Sequence, residues 1–190
     1  MKYLELRKEI SQNLFTILDV EKKFYSEKKD SLRVQLSRFI QKGRLIQLKR
    51  GLYCFNPAKL DEFVLANQLY QPSYISLETA LNYYGIIPDI SQRLTSVSPT
   101  TTKKISNQFG IFHYAKIKSV LFWGYTKKRL DDKESFFLIA QKEKSLLDFF
   151  YLRKIKKVKD LRLNLADFDF DRYQRYVKNF PAWVQVIKLA

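Results

Sequence analysis

At 190 residues, with 35 Lys/Arg against 19 Asp/Glu, this chain is strongly basic, carrying a formal net charge of +16. A hydrophobic content of 46% and an aromatic content of 15% supply enough apolar mass for a packed core and argue against disorder. One cysteine excludes an intrachain disulfide, a single histidine beside it cannot complete a Cys/His zinc site, and five scattered glycines form no phosphate loop.

Residues 1–14 predict a helix with Leu4, Leu6, Ile10 and Leu14 facing inward. Thr16 and Asp19 have the spacing of a capping box and open a helix running to Phe24, which would bury Leu18, Val20 and Phe24. A polar turn over 25–30 leads to a helix at 31–42, where Leu32, Leu36, Phe39 and Ile40 recur at i, i+4, i+7 and i+8. Its opposite face carries Val34, Ser37, Arg38 and Gln41, flanked by Arg33 and Lys42, and Gly43 supplies the stop. Two short β runs follow, 45–48 and 52–55, joined by Lys49-Arg50-Gly51 as a hairpin with two cations at its tip.

Asn56-Pro57 ends the second run, a border between domains falls at 58/59, and a short helix is predicted over 61–69. Ser76 is placed to cap a helix through Tyr84, stopped by Gly85 and Pro88. Strands are expected at 94–98, 105–109, 111–117, 122–126 and 135–139. Residues 144–152 are apolar on nearly all sides and predict a buried helix, and helices at 171–179 and 182–189 close the chain. The fold class read from this order is α+β: a winged helix-turn-helix over 1–58, then a mixed α/β domain over 59–190.

The first 60 residues hold fourteen Lys/Arg against six Asp/Glu, the denser share of the positive charge, as suits a module that meets a polyanion. In a major groove Arg38 can donate to guanine, Gln41 to adenine, and Val34 can touch a thymine methyl. Arg33, Ser37 and Lys42 border that face, while Lys49 and Arg50 are placed to meet phosphates from the hairpin tip. An ordinary amphipathic helix beside an exposed hairpin is the alternative. A second basic run, Arg153, Lys154, Lys156, Lys157, Lys159 and Arg162, reads either as another interaction surface or as a solvated turn.

Asp167, Asp169 and Asp171 lack the glycine and glutamate of a calcium loop and read as a turn, with Asp171 capping the next helix. His113 reads as a structural or surface histidine rather than a base, and Tyr83, Tyr84 and Trp123 as core or rim, with base stacking left open. No metal, cofactor or catalytic group is expected, so the chain reads as a non-enzyme. No stretch approaches about 18 uninterrupted apolar residues and no leader pattern opens the chain, so no membrane partner and a cytoplasmic location are expected.

Five blocks in order carry a family resemblance: LSRFIQKGRLIQLKRGLY (36–53), PSYISLETALNYYGIIP (72–88), LTSVSPTTTKK (94–104), FGIFHYAKI (109–117) and FFLIAQKEKSLLDFFYL (136–152). Together they resemble the AbiEi-type antitoxins of bacterial abortive-infection systems, which join a winged helix-turn-helix to an α/β antitoxin domain. Where that family reads P-E-K-A-L-L-D, this chain has Gln141 in place of the proline but keeps Glu143, Lys144, Leu146, Leu147 and Asp148. The resemblance covers roughly residues 15–155. It implies an antitoxin that represses its own operon by binding double-stranded promoter DNA and is paired with a nucleotidyltransferase-like toxin. It also implies an antitoxin surface to which Lys103 and Lys104 would contribute, and Arg153, Lys154, Lys156 and Lys157 of the basic run are expected to join it. The competing expectation is a protein-interaction module that binds an acidic partner, or that toxin, directly.

Overall fold

The structure, a computed structural model, describes residues 1–88, 92–131, 135–158 and 161–189. It is α+β, with eight α-helices and two sheets among the described residues. The chain divides into two units, Met1–Leu69 with Arg129–Phe136, and Tyr70–Lys128 with Phe137–Ala190. No helix among the described residues is long and apolar enough to cross a membrane.

The first unit runs α1 (Tyr3–Glu9), β1 (Leu14–Thr16), α2 (Ile17–Lys23), α3 (Lys29–Gln41), β2 (Ile46–Lys49), β3 (Leu52–Cys54) and α4 (Glu62–Leu69). Its three strands are antiparallel in the order β1-β3-β2, so Phe15 and Gln47 both register with Tyr53. Leu32 and Leu36 from α3 are fully buried with Leu6, Phe15 and Val20. Each such side chain contributes about 1.5–3 kcal/mol. Phe39 and Ile40 pack on the same cluster, as the i, i+4, i+7, i+8 spacing requires. Two inward assignments are corrected: Leu4 is 80% and Leu18 is 61% exposed. A helix of seven residues has room for one buried stripe only, and Leu6 and Val20 occupy it. The α4 helix, beyond the border read at 58/59, is grouped with this unit.

The second unit holds β4 (Tyr74–Ile75), α5 (Leu77–Tyr83), β5 (Leu94–Ser98), β6 (Lys103–Asn107), β7 (Gly110–Lys116), β8 (Tyr125–Arg129), β9 (Phe136–Ala140), α6 (Lys142–Arg153), α7 (Phe170–Val177) and α8 (Ala182–Gln185). The sheet order is β6-β7-β5-β4-β9-β8, with β5–β7 and β4–β9 parallel and β4–β5 and β6–β7 antiparallel. Its edge strands β6 and β8 carry Lys103, Lys104, Lys127 and Lys128, charges that discourage edge-to-edge pairing. Leu77, Leu81, Val97, Leu146, Leu147 and Phe150 form the centre of the core.

The α6 helix is apolar on most sides, yet its first turns bury four polar residues: Glu143, Lys144, Ser145 and Asp148. Lys144 and Asp148 are a fully buried ion pair one helical turn apart. Tyr74 Oη and Ser76 Oγ each donate to Asp148 Oδ2 at 2.9 Å, and Lys144 Nζ also donates to Tyr74 Oη at 3.0 Å. The rings of Tyr74, Trp123 and Phe180 lie 5.3–5.4 Å from the ammonium, a cation–π enclosure. Gly124 lies beside it at φ +73°, and a Cβ there would stand 3.0 Å from Lys144 Cγ, a tight contact in a strained conformation. Burial pushes the Asp148 carboxyl up and the Lys144 ammonium down, while their mutual attraction and the two hydroxyl donors oppose the shift. Ser76 therefore precedes α5 without capping it through its side chain, because its hydroxyl is committed to Asp148. The same bonds fix the β4–α5 junction, where Leu77 sits at φ +59°, a conformation that costs a non-glycine residue roughly 1–2 kcal/mol.

Candidate nucleic-acid interface

The α3 helix starts two residues earlier than Ser31 suggests. Its N-cap is Lys28, with no side-chain cap, and Ser31 Oγ instead accepts from Gln35 Nε2 at 3.0 Å. Five residues, 24–28, therefore separate α2 from α3. At the far end Gly43 takes φ +65°. Gly43 N–H donates to Ile40 O and Arg44 N–H to Phe39 O, both at 2.9 Å, which is the paired bonding of a Schellman stop. The chain reverses there and enters β2.

Six of the residues singled out on α3 are exposed: Arg33, Val34, Ser37, Arg38, Gln41 and Lys42. A groove of about 500 Å³ lies between this helix and the β2–β3 hairpin. Arg33, Ser37 and Ile40 line it from α3, and Gln47, Arg50 and Tyr53 from the hairpin. Its floor closes where Ile17 N–H donates to Gly51 O at 2.9 Å, and Gly51 is at φ +78°, a turn conformation in which a side chain is strained. The helix and the hairpin thus present Arg33, Ser37 and Arg50 to one shared space.

Arg33 is not a bare cation. Its guanidinium lies 3.3 Å from Asp30 and 3.7 Å from Glu21, and Lys29 also reaches Glu21 at 3.2 Å. The Arg33–Asp30 pair is exposed on both sides and weak, whereas Glu21 is largely covered and is held by both Lys29 and Arg33. Arg38, Lys42 and Arg50 make no ion pair among the described residues, which leaves their charge available. Burial raises the Tyr53 phenol above its usual range, with Arg33 pulling part of the way back. The phenol therefore stays a neutral hydrogen-bonding group in the groove.

Lys49 departs from its expected role. Its Nζ donates to the carbonyls of Gln68 at 2.6 Å and Leu69 at 2.9 Å, capping the C-terminal end of α4. The cause is a bulge in β2: Gln47 registers with Tyr53 but Lys49 with Leu52, and the extra residue re-aims the strand end. Gln47, to which the sequence assigned no role, stands in the groove instead. The alternation in Ile46-Gln47-Leu48-Lys49 is the signal that could have found it.

The basic residues expected on the antitoxin surface divide into two places. Lys103 and Lys104 are the first residues of edge strand β6, which starts two residues before the run read at 105–109, and Lys103 Nζ lies over the Tyr70 ring at 5.1 Å. Lys104 and Thr95 flank His113 in the sheet. Burial, Arg153 and Arg93 push the His113 imidazole below its usual range, with Glu78 opposing. Arg153 is committed to Glu78, donating from Nε at 2.6 Å and from its terminal nitrogen at 2.9 Å, a bidentate clamp of α6 onto α5. Lys154, Lys156 and Lys157 are exposed beyond the end of α6, and Lys159 lies outside the described residues.

Of the aspartates near 170, Asp169 rather than Asp171 caps α7, accepting from Arg172 N–H at 2.8 Å. Glu143 Oε1 accepts from Asp169 N–H at 3.1 Å and Oε2 lies 3.4 Å from Arg172, so this acidic run braces α7 against α6. Trp123 and Tyr84 are half-buried against the core, and Tyr83 is more exposed. No group of three or more His, Cys, Asp or Glu side chains converges as a metal site among the described residues. No protein-family model matches the chain, and a comparison with curated proteins finds no significant match.

Proposed function

We propose that this protein binds double-stranded DNA through α3 and the β2–β3 hairpin, as a winged helix-turn-helix, and represses its own promoter as an AbiEi-type antitoxin in the cytoplasm. The observation that carries the DNA reading is the groove in which Arg33 and Ser37 of α3 meet Gln47 and Arg50 of the hairpin. Support comes also from the element order helix, strand, helix, helix, strand, strand, with β3 in the middle of the sheet. In this reading Val34, Arg38 and Gln41 face base edges, while Arg33, Lys42 and Arg50 meet phosphates. The second unit is then the antitoxin domain, opposed to a nucleotidyltransferase-like toxin encoded beside it.

The test is a salt series of binding isotherms on the DNA upstream of the protein's own coding sequence. Removing one cation that neutralises a phosphate should reduce the slope of log K against log salt by about 0.9. Arg50→Ala should therefore flatten the slope by about that amount, and Arg38→Ala should weaken binding to the promoter more than to random duplex. Lys49→Ala is the internal control, because its ammonium serves α4; its slope should match that of the native chain. A native slope in Arg50→Ala together with an unchanged promoter preference in Arg38→Ala would reject the surface. For the antitoxin role, co-expression with the neighbouring nucleotidyltransferase-like gene should rescue growth, and continued growth arrest would reject it.

A further inference from the structure

A second groove, of about 720 Å³, opens in the second unit where the end of β7, the end of α6 and α8 converge. Its rim carries four ammonium groups, from Lys116, Lys118, Lys154 and Lys156. Its floor is apolar: Ile117, Leu152, Tyr151 and Trp183, with the last two rings stacked 6.1 Å apart at 23°. None of the four lysines forms an ion pair among the described residues. Like charges gathered around an apolar surface, with no acidic side chain among the described lining residues, cost free energy in the isolated chain.

Lys154 adds an independent sign. It ends α6 in the left-handed conformation, φ +55°, where glycine is the unstrained choice. The backbone gains nothing from a lysine there that glycine would not give. The ammonium it brings to the rim is what glycine cannot supply.

From these observations we propose that this groove docks an acidic protein segment, inserting one bulky apolar side chain over Leu152 and Trp183 while flanking carboxylates meet the four lysines. The inference is independent of the DNA reading, sharing only Lys154 and Lys156 with the surface expected from sequence. A second copy of this chain does not fit, because a partner carrying +16 of its own is repelled. Single-stranded nucleic acid fits less well. Tyr151 already packs against Trp183 and Phe180, and the lining offers no side-chain amide to read a base edge. An apolar anchor in a pocket with complementary charge at the rim is the usual arrangement for segment recognition.

The experiment is selection of a displayed library of randomised twelve-residue peptides against the full chain. Selected peptides should carry a Leu, Phe or Trp flanked by Asp and Glu. The best of them, synthesised with a fluorophore, should bind at least tenfold more weakly to Lys154→Glu/Lys156→Glu and to Lys116→Glu/Lys118→Glu. Both variants alter exposed residues, and circular dichroism checks their folding. Arg38→Ala/Arg50→Ala should bind the peptide as the native chain does, which separates this site from the α3 groove. No enrichment, acidic peptides that bind equally well without the apolar residue, binding unaffected by the charge reversals, or displacement by a twelve-nucleotide oligo-dT would each overturn the proposal.

Discussion

Asp148 accepts from Tyr74, Ser76 and Lys144 inside a wall of aromatic rings, and removing one member of such a set strands the others without water. Asp148→Leu should therefore lower unfolding free energy by about 3–5 kcal/mol, measured by urea titration. The double variant Lys144→Met/Asp148→Leu should recover much of that deficit, since a buried pair is often replaceable by apolar residues of similar size. Equal destabilisation in both variants would show that the ammonium is not what suffers. His113 offers a pH readout with a fixed sign. Its folded pKa is lowered by burial and by Arg153 and Arg93, so between the lowered value and the usual one, about 6.5, the unfolded chain holds more protons. The stability gained by keeping this ring neutral is complete above pH 6.5 and is lost as pH falls through the folded value. As the only histidine in the chain, its ring resonances can be followed directly by NMR, and His113→Gln should remove that step from the pH–stability curve.

At the level of elements, short-range chemistry was the most legible. The Thr16/Asp19 box closes as the spacing implied: Thr16 Oγ1 accepts from Asp19 N–H at 3.3 Å, and Thr16 N–H donates to Asp19 Oδ2 at 2.7 Å. Thr16→Ala should cost about 1 kcal/mol, read as a lowered urea midpoint with unchanged m-value. Strand β5 occupies 94–98 as its composition and the following Pro99 indicate. By contrast β1 has three residues and β4 two, too few for alternation to register, and both are held by their neighbours in the sheet. Caps misled in two ways. Ser76 turned to Asp148, seventy-two positions away, a partner no local pattern contains. Asp169 took the role that Asp171 was placed to fill, a shift of two residues among equivalent carboxylates.

For the molecule as a whole, composition located the charge but not its destinations. Among the cations singled out, Arg38, Lys42 and Arg50 face outward on α3 and the hairpin, whereas Lys49 closes α4 and Arg153 clamps Glu78. Exposure in the candidate interface followed from helical periodicity; the diversion of Lys49 followed from a bulge and from carbonyls nineteen and twenty residues away. The gathering of Lys116 and Lys118 with Lys154 and Lys156 needed the sheet and α6 to be laid side by side. One cation went where its hydration alone would never send it. Sealed behind Trp123, Phe180 and Gly124, the Lys144 amine meets neither solvent nor electrophile. Its acylation thus has to wait for the second unit to come apart, which makes that one nitrogen a chemical clock for how often this body opens.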